Sequence, residues 1–189
     1  KCVTTSRFTG KVSKINTIYI MIEHQKEETK KKLLEPIESW FDIKGWKPSP
    51  FQRQTWNAFI DGASGLIQVP TGSGKTFAAV MGPIARIISE QQKKSGIRLL
   101  YITPLRALSR DLTLAIKEPI ESMGWPIRVG TRNGDTTSTE RTKQLRNPPE
   151  ILVTTPESLS VLLGNTKAKD LFSNLETVIL DEWHELLAS

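Results

Sequence analysis

Between Gly65 and Glu90 three unlike segments follow one another without a spacer: the apolar run GLIQV, the turn PTGSGKT, and a stretch of helical period. No other feature of the chain constrains its fold as strongly. A buried strand that runs into a glycine-bearing turn and then a helix aims several backbone N–H groups and a helix N-terminus at one point. Such a point binds anions. Gly72 and Gly74 let the backbone approach a phosphate with no Cβ in the way. Lys75 is placed to reach the outer phosphates of a nucleoside triphosphate such as ATP, and the Thr76 hydroxyl to ligate Mg2+. Thr71 and Ser73 complete the loop. The general pattern carries a further glycine where this chain has Val69. An ordinary structural turn with a chance GKT is the competing explanation.

A second motif weighs against chance. VILDE, residues 178–182, is an apolar run that ends in two acids. A carboxylate at the C-terminal end of a parallel strand faces the ligand crevice. Asp181 would hold Mg2+ opposite Thr76, and Glu182 would orient or deprotonate an attacking water. Lys75, Asp181 and Glu182 are therefore the expected catalytic set.

The rest of the chain fits a sheet that could carry both motifs. RLLYIT, IRVGT, EILVTT and ETVILDE read as strands in addition to GLIQV. Helices are expected over Lys75–Glu90, Leu105–Met123 with an interruption at Pro119, Thr139–Arg146 and Pro156–Leu163. The strands are continuous apolar runs, as in a parallel α/β sheet with helices on both faces. Upstream, Leu33, Leu34, Ile37, Trp40 and Phe41 recur at helical spacing within Glu27–Phe41, and a second helix is expected from Phe51 to Asp61 after Pro48 and Pro50. The expected organisation is residues 1–20 as a leader or expression-derived segment, with Met21 as natural initiator. Residues 21–64 form a short N-terminal helical extension, and 65–189 the nucleotide-binding domain. An edge strand at 15–22 competes with the leader reading.

Composition narrows the setting. Lys and Arg number 26 against 20 Asp and Glu, a net charge of +6 that suits a polyanion. The single cysteine excludes an internal disulfide or a cysteine metal cluster and is consistent with a reducing cytoplasm. TIYIMI is too short to span a bilayer, so no membrane association is expected.

At DEWH, Asp181 to His184, the sequence resembles the DExH-box helicases of superfamily 2. SPFQRQ resembles the family's Q motif, which implies adenine recognition by Gln54. PTGSGKT resembles motif I, TPLRAL motif Ia, RNGDT the glycine-containing element after it, and TTPESL motif Ib. The wording looks most like the Lhr-like helicases, within them the ligase-associated DNA helicase branch. The resemblance covers roughly residues 33 to 189 and implies a RecA-like P-loop NTPase domain. It also implies an adenine-stacking aromatic, Trp46 or Phe41, and a coupling role for His184.

A protein that moves along a strand grips backbone rather than bases. The turns that match the family's motifs each follow a strand and precede a helix, and so offer free N–H groups. The residues expected there are Pro104, Arg106, Gly134, Asp135, Thr155 and Pro156, with charge also from Arg132. Each could singly be an ordinary surface or helix-start residue. The implied partner is nucleic acid, single-stranded DNA before RNA. A second RecA-like domain that supplies an arginine finger is also implied, as is a partner DNA ligase or nuclease. On this reading the chain is the N-terminal motor domain of a longer helicase, cut after motif II, and binds ATP but hydrolyses it poorly alone. A P-loop NTPase without a nucleic-acid role and a degenerate binding module are the remaining alternatives.

Overall fold

The computed structural model describes residues 13–90, 94–104 and 106–182, of which 13–25 only in backbone. At its centre is a four-stranded, wholly parallel sheet in the order β2-β3-β1-β4. The strands are β1 Leu99–Ile102, β2 Val129–Arg132, β3 Ile151–Thr154 and β4 Thr177–Leu180. Helices α4 Arg106–Ser122, α5 Ser138–Arg146, α6 Pro156–Leu163 and α7 Ala168–Leu171 connect them. Upstream lie α1 Ser13–Ile43, α2 Pro50–Ile60 and α3 Lys75–Ser89.

Alternation along the strands builds a core on each face. Leu99, Tyr101, Ile151 and Val153 pack with Ile37 and Trp40 of α1, Trp56 of α2, Val80, Met81 and Ile84 of α3 and Ile116 of α4. The alternate positions Leu100, Ile102 and Leu152 pack on the opposite face with Leu162 of α6 and Leu171 of α7. β1 and β3 are buried at every position, as their unbroken apolar sequence requires.

α1 anchors through Leu34, Ile37, Trp40 and Phe41, which fall on one helical stripe. The Trp40 Nε1–H donates to Ser122 Oγ at 3.1 Å, which ties α1 to the end of α4. Just past the end of α1, Gly45 has a φ of 69°, which lets the Trp46 N–H turn back to Phe41 O at 2.9 Å. The described backbone is helical from Ser13, so the edge strand expected at 15–22 is not formed, and a helix crosses the expected boundary at residue 21. Residues 1–12 lie outside the described residues.

Two further expectations are corrected. Pro119 does not interrupt α4. It stands in the last turn, where the missing N–H forfeits a single helical bond. GLIQV, residues 65–69, forms no strand. An apolar run becomes a strand only where its N–H and C=O groups find a ladder, and these residues join none. Val178 and Leu180 of β4 are 51% and 56% exposed, and Leu66 is 69% exposed. The short α7 was not expected from the sequence.

Candidate nucleotide and strand-binding edge

Parallel strands place all their C-terminal ends on one edge of the sheet. The register aligns Arg132, Thr154, Ile102 and Leu180 across it. The turn after β2 thus lies beside the turn after β3, then the turn after β1, then Asp181 and Glu182 after β4.

Val69–Thr76 curls ahead of α3, with Ser73 N–H and Oγ both donating to Pro70 O, the latter at 2.7 Å. Gly74 is the N-cap of α3, at φ 90°. A Cβ there would stand 2.6 Å from Gln52 Nε2, so glycine is required both by conformation and by space. Thr71 and Gly72 are exposed, and Ser73, Lys75 and Thr76 half-buried.

Gln52 is the missing part of this loop. Its side chain is buried at 5% exposure. Nε2 donates to Gly74 O at 3.1 Å, while Oε1 accepts from the Ser49 backbone N–H at 2.8 Å. Gln54 is exposed. The glutamine that contacts the phosphate loop is therefore Gln52, not Gln54. Two helical positions apart, the side chains leave the axis on opposite sides. The signal was in the sequence: Ser49-Pro-Phe-Gln52 has the spacing at which an N3 glutamine reaches back to its N-cap.

Lys75 Nζ lies 3.6 Å from Glu182 Oε1, which joins the loop to the end of β4. The Asp181 N–H donates to Ile102 O at 2.9 Å, so the ladder with β1 runs on to the first acid. Its Oδ1 accepts from the Glu182 N–H at 3.1 Å. Glu182 has a φ of 45°, the left-handed conformation that side chains rarely adopt. Tyr101, unremarked in the sequence, is buried beneath these groups. Burial first, then the Asp181 charge and a hydrogen bond to Asp181, raise its phenol well above the ordinary value, against a smaller opposing effect of the Thr76 hydroxyl. The phenol is protonated at any working pH.

The Thr76 hydroxyl and Asp181 carboxylate are hard oxygen donors. They suit Mg2+, which takes one or two protein oxygens and fills its octahedron with water and phosphate. No cluster of three acidic, histidine or cysteine side chains suited to a metal occurs among the described residues. A cation here would thus depend on oxygens brought by a bound nucleotide.

Of the two candidate aromatics, Phe41 is excluded. It is 3% exposed and in edge contact with Trp40 at 5.1 Å, leaving no open face for a base. Trp46 is 47% exposed and lies 6.4 Å from Phe77, the residue after Thr76.

The turn after β2 is held by its own side chains. Asn133 Nδ2 donates to Ser109 Oγ at 2.9 Å, and Asn133 Oδ1 accepts from the Asp135 N–H at 2.9 Å. Arg141, missed in the sequence, donates to Thr136 O at 2.9 Å and Asn133 O at 3.0 Å. Gly134 and Asp135 are exposed at its tip. The Arg106 guanidinium packs against Gly134, where a Cβ would stand 2.6 Å from Arg106 Cζ. Two of the expected strand-contact turns therefore meet. Pro104 is half-buried, Thr155 buried and Pro156 half-buried. Arg132 is corrected: at 5% exposure, with Nη1 on Gln144 Oε1 at 3.4 Å, it offers no surface charge. His184 lies outside the described residues. No helix among the described residues is long and apolar enough to cross a membrane.

Comparison with known proteins bears on the same edge. The profile of the DEAD/DEAH box helicases matches residues 49–189. The ATP-dependent helicase Lhr-Core of Methanocaldococcus jannaschii is 37% identical over 181 residues, 89% of this chain and 22% of that protein. The Lhr helicase/uracil glycosylase of Escherichia coli is 36% identical over 167 residues, 79% of this chain and 11% of that protein. The chain thus spans a fifth or less of some of its curated relatives, and 22% of the first. Among solved structures, Mycobacterium smegmatis helicase Lhr bound to ssDNA and AMP-PNP superposes with a TM-score of 0.70 at 36% identity, over 82% of this chain and 21% of that one. The DUF1998 helicase MrfA bound to DNA and AMPPNP gives 0.71 at 29% identity, over 80% of this chain and 21% of that one.

Proposed function

The chain belongs to the DEAD/DEAH box helicase family, and on that premise we propose that it is the first RecA-like motor domain of an Lhr-type DNA helicase. It couples ATP hydrolysis to movement along single-stranded DNA, in DNA repair. The observation that carries this reading is the approach of Lys75 to Glu182, 3.6 Å across the gap between the phosphate loop and the end of β4. The phosphate loop and the acidic end of β4, over a hundred positions apart in the chain, thus meet at one corner.

Backbone N–H groups of Thr71–Thr76 and the Lys75 ammonium hold the phosphates, with Gln52 bracing the loop from behind. The Thr76 hydroxyl and Asp181 carboxylate would hold Mg2+, which when bound neutralises charge on the outer phosphates. Glu182 exchanges Lys75 for the attacking water and accepts its proton. Trp46 supplies a flat apolar surface for the adenine. Arg106, Gly134, Asp135 and the first turn of α6 at Thr155 and Pro156, with Pro104 behind them, hold the strand by its backbone. His184 couples the two sites, and a second RecA-like domain completes the nucleotide pocket. Lhr of Mycobacterium smegmatis bound to ssDNA and AMP-PNP supports the same pairing of ligands.

The test is the ATPase rate of the full-length protein, titrated with single-stranded DNA and separately with RNA. Stimulation by DNA above that by RNA is expected. Stimulation by RNA alone would transfer the motor to an RNA helicase, and a rate indifferent to both would remove the nucleic-acid role.

A further inference from the structure

Tyr101 is the one polar side chain of β1 between Leu99 and Ile102, and it lies in the core at 3% exposure. Its ring packs in the cluster that holds Val80, Met81 and Ile84 of α3. Leucine or phenylalanine would serve that packing without a hydroxyl to satisfy, and a buried phenol needs a partner. The register brings one within reach. Tyr101 stands opposite Ile179 on β4, so Asp181, two positions on, projects from the same face as its diagonal neighbour. α3 covers that face, and Thr76 lies in its first turn. The face that carries the phenol thus also carries Asp181 and lies under the helix that bears Thr76.

Building on the nucleotide site proposed above, we propose that Tyr101 is a positioning residue: its hydroxyl fastens the Asp181 carboxylate and the Thr76 hydroxyl in the arrangement that Mg2+ requires. The case for such a residue is strongest at a site with only two protein oxygens. Mg2+ tolerates little departure from octahedral geometry, so each donor's orientation matters. Loss of a partner that orients a metal ligand costs about 10- to 100-fold in metal affinity. Tyr101 stands two residues before Thr103, where β1 enters the strand-contact turn. The same strand therefore carries a tie to each ligand site.

The experiment is Tyr101→Phe in the full-length protein, with binding of a fluorescent ATP analogue measured in EDTA and in Mg2+. Phenylalanine keeps the ring and its packing. Affinity in EDTA is expected to match the unmodified protein, while the gain on adding Mg2+ falls about 10-fold. The rise in melting temperature on adding Mg2+–ATP, taken as a difference within each protein, gives a second readout from which a general stability loss cancels. It is expected to shrink. An undiminished Mg2+ gain in the variant overturns the proposal, as does an equal loss of affinity with and without the metal. If the unmodified protein itself shows no Mg2+-dependent gain, the nucleotide-site reading falls as well.

Discussion

The two ends of the sheet's C-terminal edge are built in different ways. At the β2 end the turn is stitched locally: Asn133, Thr136 and Arg141 bond to one another's backbone, and Ser109 ties them to α4. At the β4 end the groups arrive from distant parts of the chain. Gln52 reaches the loop from α2, Lys75 meets Glu182 at 3.6 Å, and Tyr101 lies buried in the sheet under α3. Burial differs accordingly. β2 is half-buried at three positions and buried at Arg132, whereas β4 alternates between half-buried and exposed. Local bonding makes a rigid surface that is ready before its ligand comes. Long-range assembly makes a corner that its ligand must complete.

The sharpest way to break this contrast is Glu182→Gln in the full-length protein. Removing the proton acceptor should lower ATP turnover by about 10²- to 10⁴-fold. Binding of single-stranded DNA should be unchanged, and a parallel loss there would show that the two ends are one unit. A smaller effect is expected at the loop. Gln52→Ala removes the bond to Gly74 O, worth about 1 kcal/mol or a few-fold in nucleotide affinity, whereas Gln54→Ala should change nothing. Isothermal titration with AMP-PNP distinguishes them, and equal losses would give Gln54 an equal part in binding the nucleotide. The smallest effect belongs to the rigid end. Arg106→Ala should weaken binding to any DNA sequence alike and reduce the salt dependence of binding to single strands by about 0.7 in log–log slope. Its ATPase without DNA should stay at the original rate. A change in that rate would mean that Arg106 supports the nucleotide corner rather than the strand.

The sequence carried the parts of this protein whose cause is local. Apolar period placed α3, α4, α6 and the four strands of the sheet, because burial of one stripe or one run is a property of neighbouring residues. The glycine turn before α3 was legible for the same reason, since φ of 79° at Gly72 and 90° at Gly74 is a demand each residue meets by itself. What failed depended on partners elsewhere in the chain. GLIQV had the composition of a strand but no neighbour to pair with it. Phe41 had the ring for stacking but is walled in by Trp40, Trp56 and Phe77. Arg132 had the charge but lies beneath α5 against Gln144.

Motif and period thus pointed to an α/β P-loop domain and to Lys75, Thr76, Asp181 and Glu182 as its expected site, since those depend on residue type and on the element that bears it. Tertiary structure decided which glutamine braces the loop, which aromatic keeps an open face and which tyrosine packs under α3. Those outcomes turn on helix rotation and strand register. Both are set by packing against residues far away in the sequence, and no local pattern encodes them.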